Sequence, residues 1–425
     1  MSFVNPMRSR LVLLVMMTTL AVSAQADTAI GDYLRISGFG TLGVTRAGNE
    51  YLGFHRDLYR EATFDGDWDV AADSLLGVQL DVKANDQWSG ALQLVGKDRL
   101  EDSLNNSVEW AFVAYRPTPE WAVRAGRIGF DAYMLSEYRS VGFAYLWARP
   151  PQEFYTPVGF DSFDGADIAW EHNLGTGLMR LKLIAGSTRN DFQFGDQVAE
   201  VSLKNIHGGS LSWESDHWQL RLTLLFNDLQ DENGYFPGLE ALGAAYEQIT
   251  PLWPEAAYYN ELTRVNDPSI DYQTIGFAYN NAPWQIQGEL GHIESKVSLF
   301  PSANNGYISV GRQFGAKTLY AMLSAVDSDN LREEVAIWPE DPMNPYAPMV
   351  IPLQQITQQI LNSITLNQHS ATLGMRWDLR YDLALKLQWD RSWVDRYGTG
   401  LWLLQEVPPD DQVVDTYSIN LNFIF

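Results

Sequence analysis

The chain has 425 residues, of which 53 are acidic and 29 basic, giving a formal net charge of −24, and it contains no cysteine. So acidic a surface excludes nucleic acid as a natural partner, and a thiol-free chain suits export through an oxidising compartment. Aromatic residues make up 13% of it and no long charge run occurs, which excludes a disordered acidic protein.

Arg8 and Arg10 precede an apolar run from Leu11 to Val22, and Ala24-Gln25-Ala26 places small residues where a signal peptidase accepts them. The expectation is a leader over residues 1–26, cleaved near Ala26. An anchor helix would need about 20 apolar residues, more than this run supplies. No other stretch of 18 apolar residues follows, so membrane residence would be by strands, which restricts it to an outer membrane. No linker or composition break divides residues 27–425, which read as a single domain.

After the leader, apolar residues alternate with small or polar ones in segments of roughly ten positions, as a wall between lipid and water requires. The first segment is Tyr33 to Val44. Pairs then follow across short turns: 75–83 with 88–96, 108–116 with 121–128, 166–172 with 178–185, and 206–213 with 218–226. The remaining pairs are 272–279 with 284–292, 307–314 with 318–326, and 371–377 with 383–393, and Val414 to Phe425 closes the chain. The total is sixteen strands. Their fold class is an all-β, transmembrane antiparallel barrel. Every second connection is long: 45–74, 97–107, 129–165, 186–205, 227–271, 293–306, 327–370 and 394–413. We number these loops 1 to 8. Sorting by parity is what outer-membrane barrels show, with short periplasmic turns and long extracellular loops.

Alternation also assigns faces. Trp218, Leu220, Leu222, Leu224 and Phe226 would face lipid while Gln219, Arg221, Thr223 and Asn227 face the lumen. The same rule points Arg35, Lys83, Arg124, Arg180, Lys182, Arg221, Arg376 and Lys386 inward as a basic pore wall. Tryptophans and tyrosines cluster beside the short turns (Trp88, Trp121, Trp170, Trp213, Trp218, Trp284, Trp377, Tyr381), where a membrane interface holds amphipathic rings.

Two motifs mislead. Gly38-Phe-Gly40-Thr-Leu-Gly43 spells a dinucleotide fingerprint but lies inside a strand, not in a turn that opens a helix. Asp65-Gly-Asp67-Trp-Asp69 imitates the start of a calcium loop, yet Val70 and Leu76 stand where glycine and glutamate are needed. A weak divalent-ion site and a solvated acidic loop both remain open there. The six histidines have no HExxH or other close metal spacing, and no metal or cofactor is expected. No GxSxG occurs.

The last strand ends Tyr417-Ser-Ile419-Asn-Leu421-Asn-Phe423-Ile-Phe425, apolar at every second position back from a terminal Phe. Here the chain resembles the Gram-negative porin superfamily, whose barrels end in such a strand. The resemblance implies that Tyr417, Ile419, Leu421, Phe423 and Phe425 form an assembly signal read by the barrel-insertion machinery. It also implies periplasmic chaperones, lipid and lipopolysaccharide as partners, and a homo-trimer in which the glycines of the first strand admit a neighbouring subunit. In sixteen-stranded porins the third long loop enters the barrel. That places Glu137, Arg139, Arg149, Glu153, Asp161 and Asp164 at a constriction opposite the basic wall, where the charges either set a transverse field or pair with one another.

The function expected is passive diffusion of small hydrophilic solutes with mild cation preference. A substrate-selective channel is the rival, because loops 3 and 5 carry aromatics (Tyr235, Phe236, Tyr246, Trp253, Tyr258, Tyr259) that could stack on sugars or rings. A barrel enzyme is more distant, resting on His207, His292 and His369 near extracellular strand ends.

Overall fold

The computed structural model describes residues 28–29, 33–60, 66–100, 103–194, 197–230, 237–264, 267–329, 334–338 and 343–425. The leader and Asp65 lie outside the described residues.

Sixteen long strands form one closed antiparallel sheet. They are β1 (Leu34–Ala47), β2 (Leu75–Lys83), β3 (Trp88–Lys97), β4 (Val108–Thr118), β5 (Trp121–Gly129), β6 (Ser162–Leu174), β7 (Gly177–Phe194) and β8 (Gln197–Glu214). The others are β9 (Trp218–Gln230), β10 (Ser269–Asn281), β11 (Trp284–Ser295), β12 (Ala303–Phe314), β13 (Lys317–Ser328), β14 (Leu366–Arg380), β15 (Leu383–Thr399) and β16 (Gln412–Ile424). Each pairs with its chain neighbours, and β1 closes the ring by pairing with both β2 and β16. Two short pieces, Thr28–Ala29 and Trp68–Asp69, add to the edges of β1. Closure leaves no free edge along the wall, which a bilayer core demands. Among the described residues no helix is long and apolar enough to cross a membrane; the crossing elements are strands.

The outward face is an apolar belt. Leu220, Leu222, Leu224 and Phe226 of β9 are exposed while Thr223, Leu225 and Asn227 between them are buried. Rings gather at the turn end, where Trp88 packs on Tyr115 and Trp218 on Tyr279, each with centroids 4.6 Å apart, and Arg312 and Lys317 cover Trp284 and Trp377. Rings able to bond water on one side and lipid on the other settle at that depth.

Several elements depart from the sequence reading. Residues 186–205 form no open loop: β7 and β8 run 18 residues each, and their ladder continues from Thr188↔Leu203 to Phe194↔Gln197 beyond a bulge at Gly186. β4 extends through Pro117, which sits at a register shift where its missing N–H costs no ladder bond. Loops 5 and 7 contain helices, α1 (Pro237–Ile249), α2 (Ala256–Leu262) and α3 (Ala347–Ile364). Leu242, Tyr246 and Ile249 of α1 share a helical spacing and pack with Trp253, Tyr259 of α2, and Val350 and Leu361 of α3. Tyr246, Trp253 and Tyr259 are therefore the core of a helical cap, not a sugar-stacking surface. Tyr258 is exposed, and Tyr235 and Phe236 lie outside the described residues. Loops 1 and 8 are joined by a small sheet pairing Leu52–Phe54 with Trp402–Leu404.

The glycines of β1 are not open to a neighbour. A Cβ on Gly38 would stand 2.3 Å from the Phe425 ring, and one on Gly40 would stand 2.4 Å from the Phe423 ring. The terminal aromatics lie over the smooth stripe at the seam of the same barrel, so the stripe serves closure.

Candidate pore and its constriction

Loop 3 enters the barrel and makes a circuit of its inner wall. At its start, Ser210 of β8 and Arg221 of β9 hold Asp131, and Thr274 of β10 donates to the Ala132 carbonyl at 3.1 Å. The Met134 N–H donates to Glu289 of β11 at 2.9 Å. The loop then crosses to the seam. A Cβ on Gly142 would stand 2.5 Å from Asn422 of β16 and 2.8 Å from Thr41 of β1. Only glycine lets the backbone come so close. Lys386 of β15, fully buried, donates to the carbonyls of Gly142, Tyr145 and Trp147 at 2.5, 2.6 and 2.7 Å. The Trp147 indole N–H donates to Ser309 of β12, and Ala148 N–H donates to Gln388 of β15. Glu153 accepts from Ser324, Gln368 and Ser370 on β13 and β14, and the Tyr155 hydroxyl donates to Glu289.

The side chains of this circuit fill the middle of the barrel. Tyr133, Trp147, Phe154 and Tyr155 are buried, packed with Tyr272, Tyr307 and Tyr320 that project inward from the wall. Ring pairs of this kind add about 0.5–1.5 kcal/mol each beyond the area they bury. Loop 1 is drawn in beside loop 3. Arg56 pairs with Asp73 at 2.8 Å, Arg139 of loop 3 pairs with Asp57 of loop 1, and Arg149 lies over the Phe54 ring. Asp69 accepts from the Ala72 N–H at 3.2 Å, so its carboxylate caps a turn. His55 is buried, and burial lowers its pKa to about 4.

The expected constriction residues divide. Of those on the lumen side, Glu137 is the most accessible, with its side chain 40% exposed, and it pairs with Lys182 at 2.9 Å and Arg124 at 3.4 Å, whose side chains are 6% and 19% exposed. Burial pushes the Glu137 carboxyl up, but Lys182 and Arg124 outweigh it and hold it below the ordinary carboxylate range. Asp161 bonds Lys97 at 2.6 Å and approaches Arg139 at 3.9 Å; against the opposing pull of burial, these cations hold it well below that range. Arg149 and Glu153 are buried anchors: Arg149 pairs with Asp390 at 2.6 Å, and Glu153 sits in its cage of wall hydroxyls and amide. Asp164 does not reach the lumen. Phe163 and Asp167 beside it point in, so Asp164 points out, where it pairs with Arg127 at 2.8 Å.

The wall residues divide as well. Lys182, Arg221 and Arg124 meet loop 3 or its partners, and Arg376 donates to the carbonyls of Phe143 and Tyr145 at 2.8 and 3.0 Å. Lys386 is locked under the loop. Arg180 pairs with Glu171 at 2.6 Å toward the turn end. Lys83 pairs with the exposed Asp86 at the turn itself, at the rim and not the narrow part. Arg35 stands opposite Asp81 in the β1–β2 register, and it is exposed near the same rim. Lys83, Arg124, Arg180, Lys182 and Arg221 are thus engaged in ion pairs, and Lys386 and Arg376 hold loop carbonyls.

Two polar cavities flank one charged cluster beside loop 3. The inner one, a narrow recess with enclosed room for about one water, is lined by Gln93, Trp110, Ser136, Glu137, Tyr138 and Ser140 among others. The outer one, nearer the loop end, is lined by Tyr59, Arg99, Asn105 and Asn190 and opens as well toward the outward pair Arg127 and Asp164. Both are bounded by Glu109, Phe160 and Asp161. Lys97 bridges Glu109 at 2.7 Å and Asp161 at 2.6 Å, and Arg99 stands 3.7 Å from Glu109. Lys97, Arg99 and Glu109 were not picked out from sequence. Lys97 lies one residue beyond the expected end of its strand. Glu109 sits at a bulge where Gln93 pairs with Trp110 and Leu94 with Val108, so the parity that assigns faces fails there.

His207 stacks on Phe226 and His369 on Trp393, and these rings belong to the outward face, with Phe226 and Trp393 exposed. His292 bonds Asn304 on the same exposed side. Among the described residues no group of three metal-ligating side chains occurs.

No protein-family model and no curated protein matches the chain. Solved structures do. OmpF of Salmonella typhi, solved as a complex with daunomycin, is 10% identical, with a TM-score of 0.54 over 94% of this chain and 100% of that one. An anion-selective porin from Comamonas acidovorans is 13% identical, covering 92% of this chain and 100% of that one, with a TM-score of 0.48. A loop L8 deletion mutant of OmpT, an outer membrane protein of Vibrio cholerae, is 10% identical over 93% of this chain and 100% of that one, with a TM-score of 0.47. At such identities the first of these supports the fold alone: a porin-like barrel.

Proposed function

We propose that the chain is a porin-type channel of a Gram-negative outer membrane, passing small hydrophilic solutes down their gradients along the side of loop 3. The observation that carries this is the recess beside loop 3, bounded by Glu109, Glu137, Arg139 and Asp161, inside a barrel whose outward belt suits lipid. A path this narrow favours small solutes and low conductance. Glu137 gives the inner cavity a mild preference for cations, because its carboxylate is more exposed than either base paired with it. Over the Debye length of about 8 Å at physiological salt, such a local charge outweighs the distant net charge.

The same proposal includes export by the leader, insertion through the terminal strand, and a homo-trimer. β2 to β5, at 9 to 11 residues the shortest run of the wall, face outward with apolar side chains such as Val78, Leu92, Val113 and Val123. That stretch is where a neighbouring barrel would seat. Passive passage needs no catalysis, and the three histidines that suggested it stand on the outer face. The test is single-channel recording in a planar bilayer with Glu137→Gln and Glu153→Gln. Glu137→Gln is expected to shift the reversal potential toward anions, and Glu153→Gln, caged in the wall, to leave it in place. Silence of the purified barrel, with no liposome swelling in small sugars, would reject the channel.

A further inference from the structure

Above loop 3, on the loop side of the barrel, the wall changes character. A cavity of about 1060 Å³ of atom-free space, its mouth included, lies among loop 3, the tops of β7 to β12 and the end of α3. Its lining is almost wholly apolar, with Phe130 and Phe160 of loop 3, Leu203 of β8, Leu229 of β9 and Ile364 of α3 among the contributors. Lumen-facing positions of a hydrophilic pore have no reason to carry Leu203 and Leu229, because inward residues of a water-filled barrel are polar. Into this cavity projects Asn227, 5% exposed, whose amide oxygen has no hydrogen-bond partner among the described residues. A buried amide oxygen left without a donor destabilises the fold, a cost that a bound hydroxyl would remove.

We infer that this cavity is a binding site for an uncharged, largely apolar organic molecule that bears one hydroxyl, the hydroxyl donating to Asn227 while its ring or chain lies against the leucine and phenylalanine lining. The volume suits a ligand of roughly ten to twenty heavy atoms. The lining presents no lysine, arginine, aspartate or glutamate, so an organic ion would be desolvated without a partner and is disfavoured. The site does not depend on the barrel conducting.

Para-trifluoromethyl benzyl alcohol and its ethyl counterpart, which lacks the hydroxyl, serve as probes by fluorine NMR with the purified barrel in micelles. The alcohol is expected to bind saturably, one per barrel. Asn227→Leu, near in volume and leaving the wall intact, should weaken the alcohol about tenfold and move the ethyl compound less than twofold, as loss of one hydrogen bond predicts. Ala303→Phe, which fills the cavity from β12, should remove saturable binding of both. Uptake that rises linearly with probe, or equal effects of Asn227→Leu on both probes, overturns the site. Current is recorded on the same preparations: a barrel that binds the alcohol and passes no current keeps the site and loses the channel, and the converse loses the site alone.

Discussion

Lys386→Met tests whether loop 3 is held in the barrel by one buried cation. The ammonium donates to three loop carbonyls at 2.5 to 2.7 Å and is sealed from solvent. Charge-assisted bonds of this kind contribute about 1.5–3 kcal/mol each, and methionine keeps the apolar stem while sparing the cost of burying a charge. Three buried carbonyls then lose their donor at about 1–3 kcal/mol each, offset in part by the charge no longer buried, and we expect a net loss of about 3–4 kcal/mol. The loop's opening equilibrium should rise by roughly two to three orders of magnitude. Hydrogen exchange reads this directly, because the amide of Ala148 is protected by Gln388 and that of Ala144 by Val141 within the held segment. Both should exchange faster by that factor while Val310 and Met322, in the β12–β13 ladder, stay protected. Unchanged loop protection, or ladder amides that open to the same extent, would refute the reasoning.

Gly40→Leu should cost about 1–3 kcal/mol or more by displacing Phe423 at the seam, seen as loss of the heat-modifiable folded band, whereas Leu42→Val on the same outward row should fold normally. Leu222→Arg places a charge on the lipid face and should cost ~2–4 kcal/mol, read as impaired insertion. Thr223→Arg should also impair folding, because Thr223 is fully buried and offers an arginine no water; free insertion of Thr223→Arg would contradict the packing. Asp131, Glu137 and Asp161 are all held below the ordinary carboxylate range, so the stability they add is present above about pH 4 and is lost as pH falls through their depressed values. Loop 3 exchange should therefore accelerate below about pH 4 and stay flat from pH 5 to 7.

Strands and faces were legible because a wall with lipid on one side and polar groups on the other imposes a period of two at every position, and β9 shows it without exception from Trp218 to Phe226. That rule carries no information where the wall ends. Above the bilayer, β7 and β8 continue as a hairpin in which Thr188, Arg189 and Asn190 pair regularly without a lipid face, so the segment reads as loop. The helical spacing of Leu242, Tyr246 and Ile249 behind Pro237 was present, but only tertiary contact with α3 shows that it forms a cap. Within the candidate pore, the loop that enters the barrel was identifiable from its aromatics and charges. Which charges anchor and which face the path depends on wall partners such as Gln368, Ser370 and Asp390, far away in sequence. Asp164 shows the limit of reading a loop by composition, since it belongs to β6 and faces outward.

The most direct measurement exploits the absence of cysteine, because any effect of a thiol reagent then comes from an introduced site. Glu137→Cys places one thiol in the inner cavity, and the barrel is recorded in a planar bilayer before and after a bulky cationic methanethiosulfonate is added. Single-channel current should fall sharply on modification and return on reduction, whereas Leu222→Cys on the outward face should give no block. A conducting barrel whose current is untouched at Glu137→Cys would contradict a path beside loop 3.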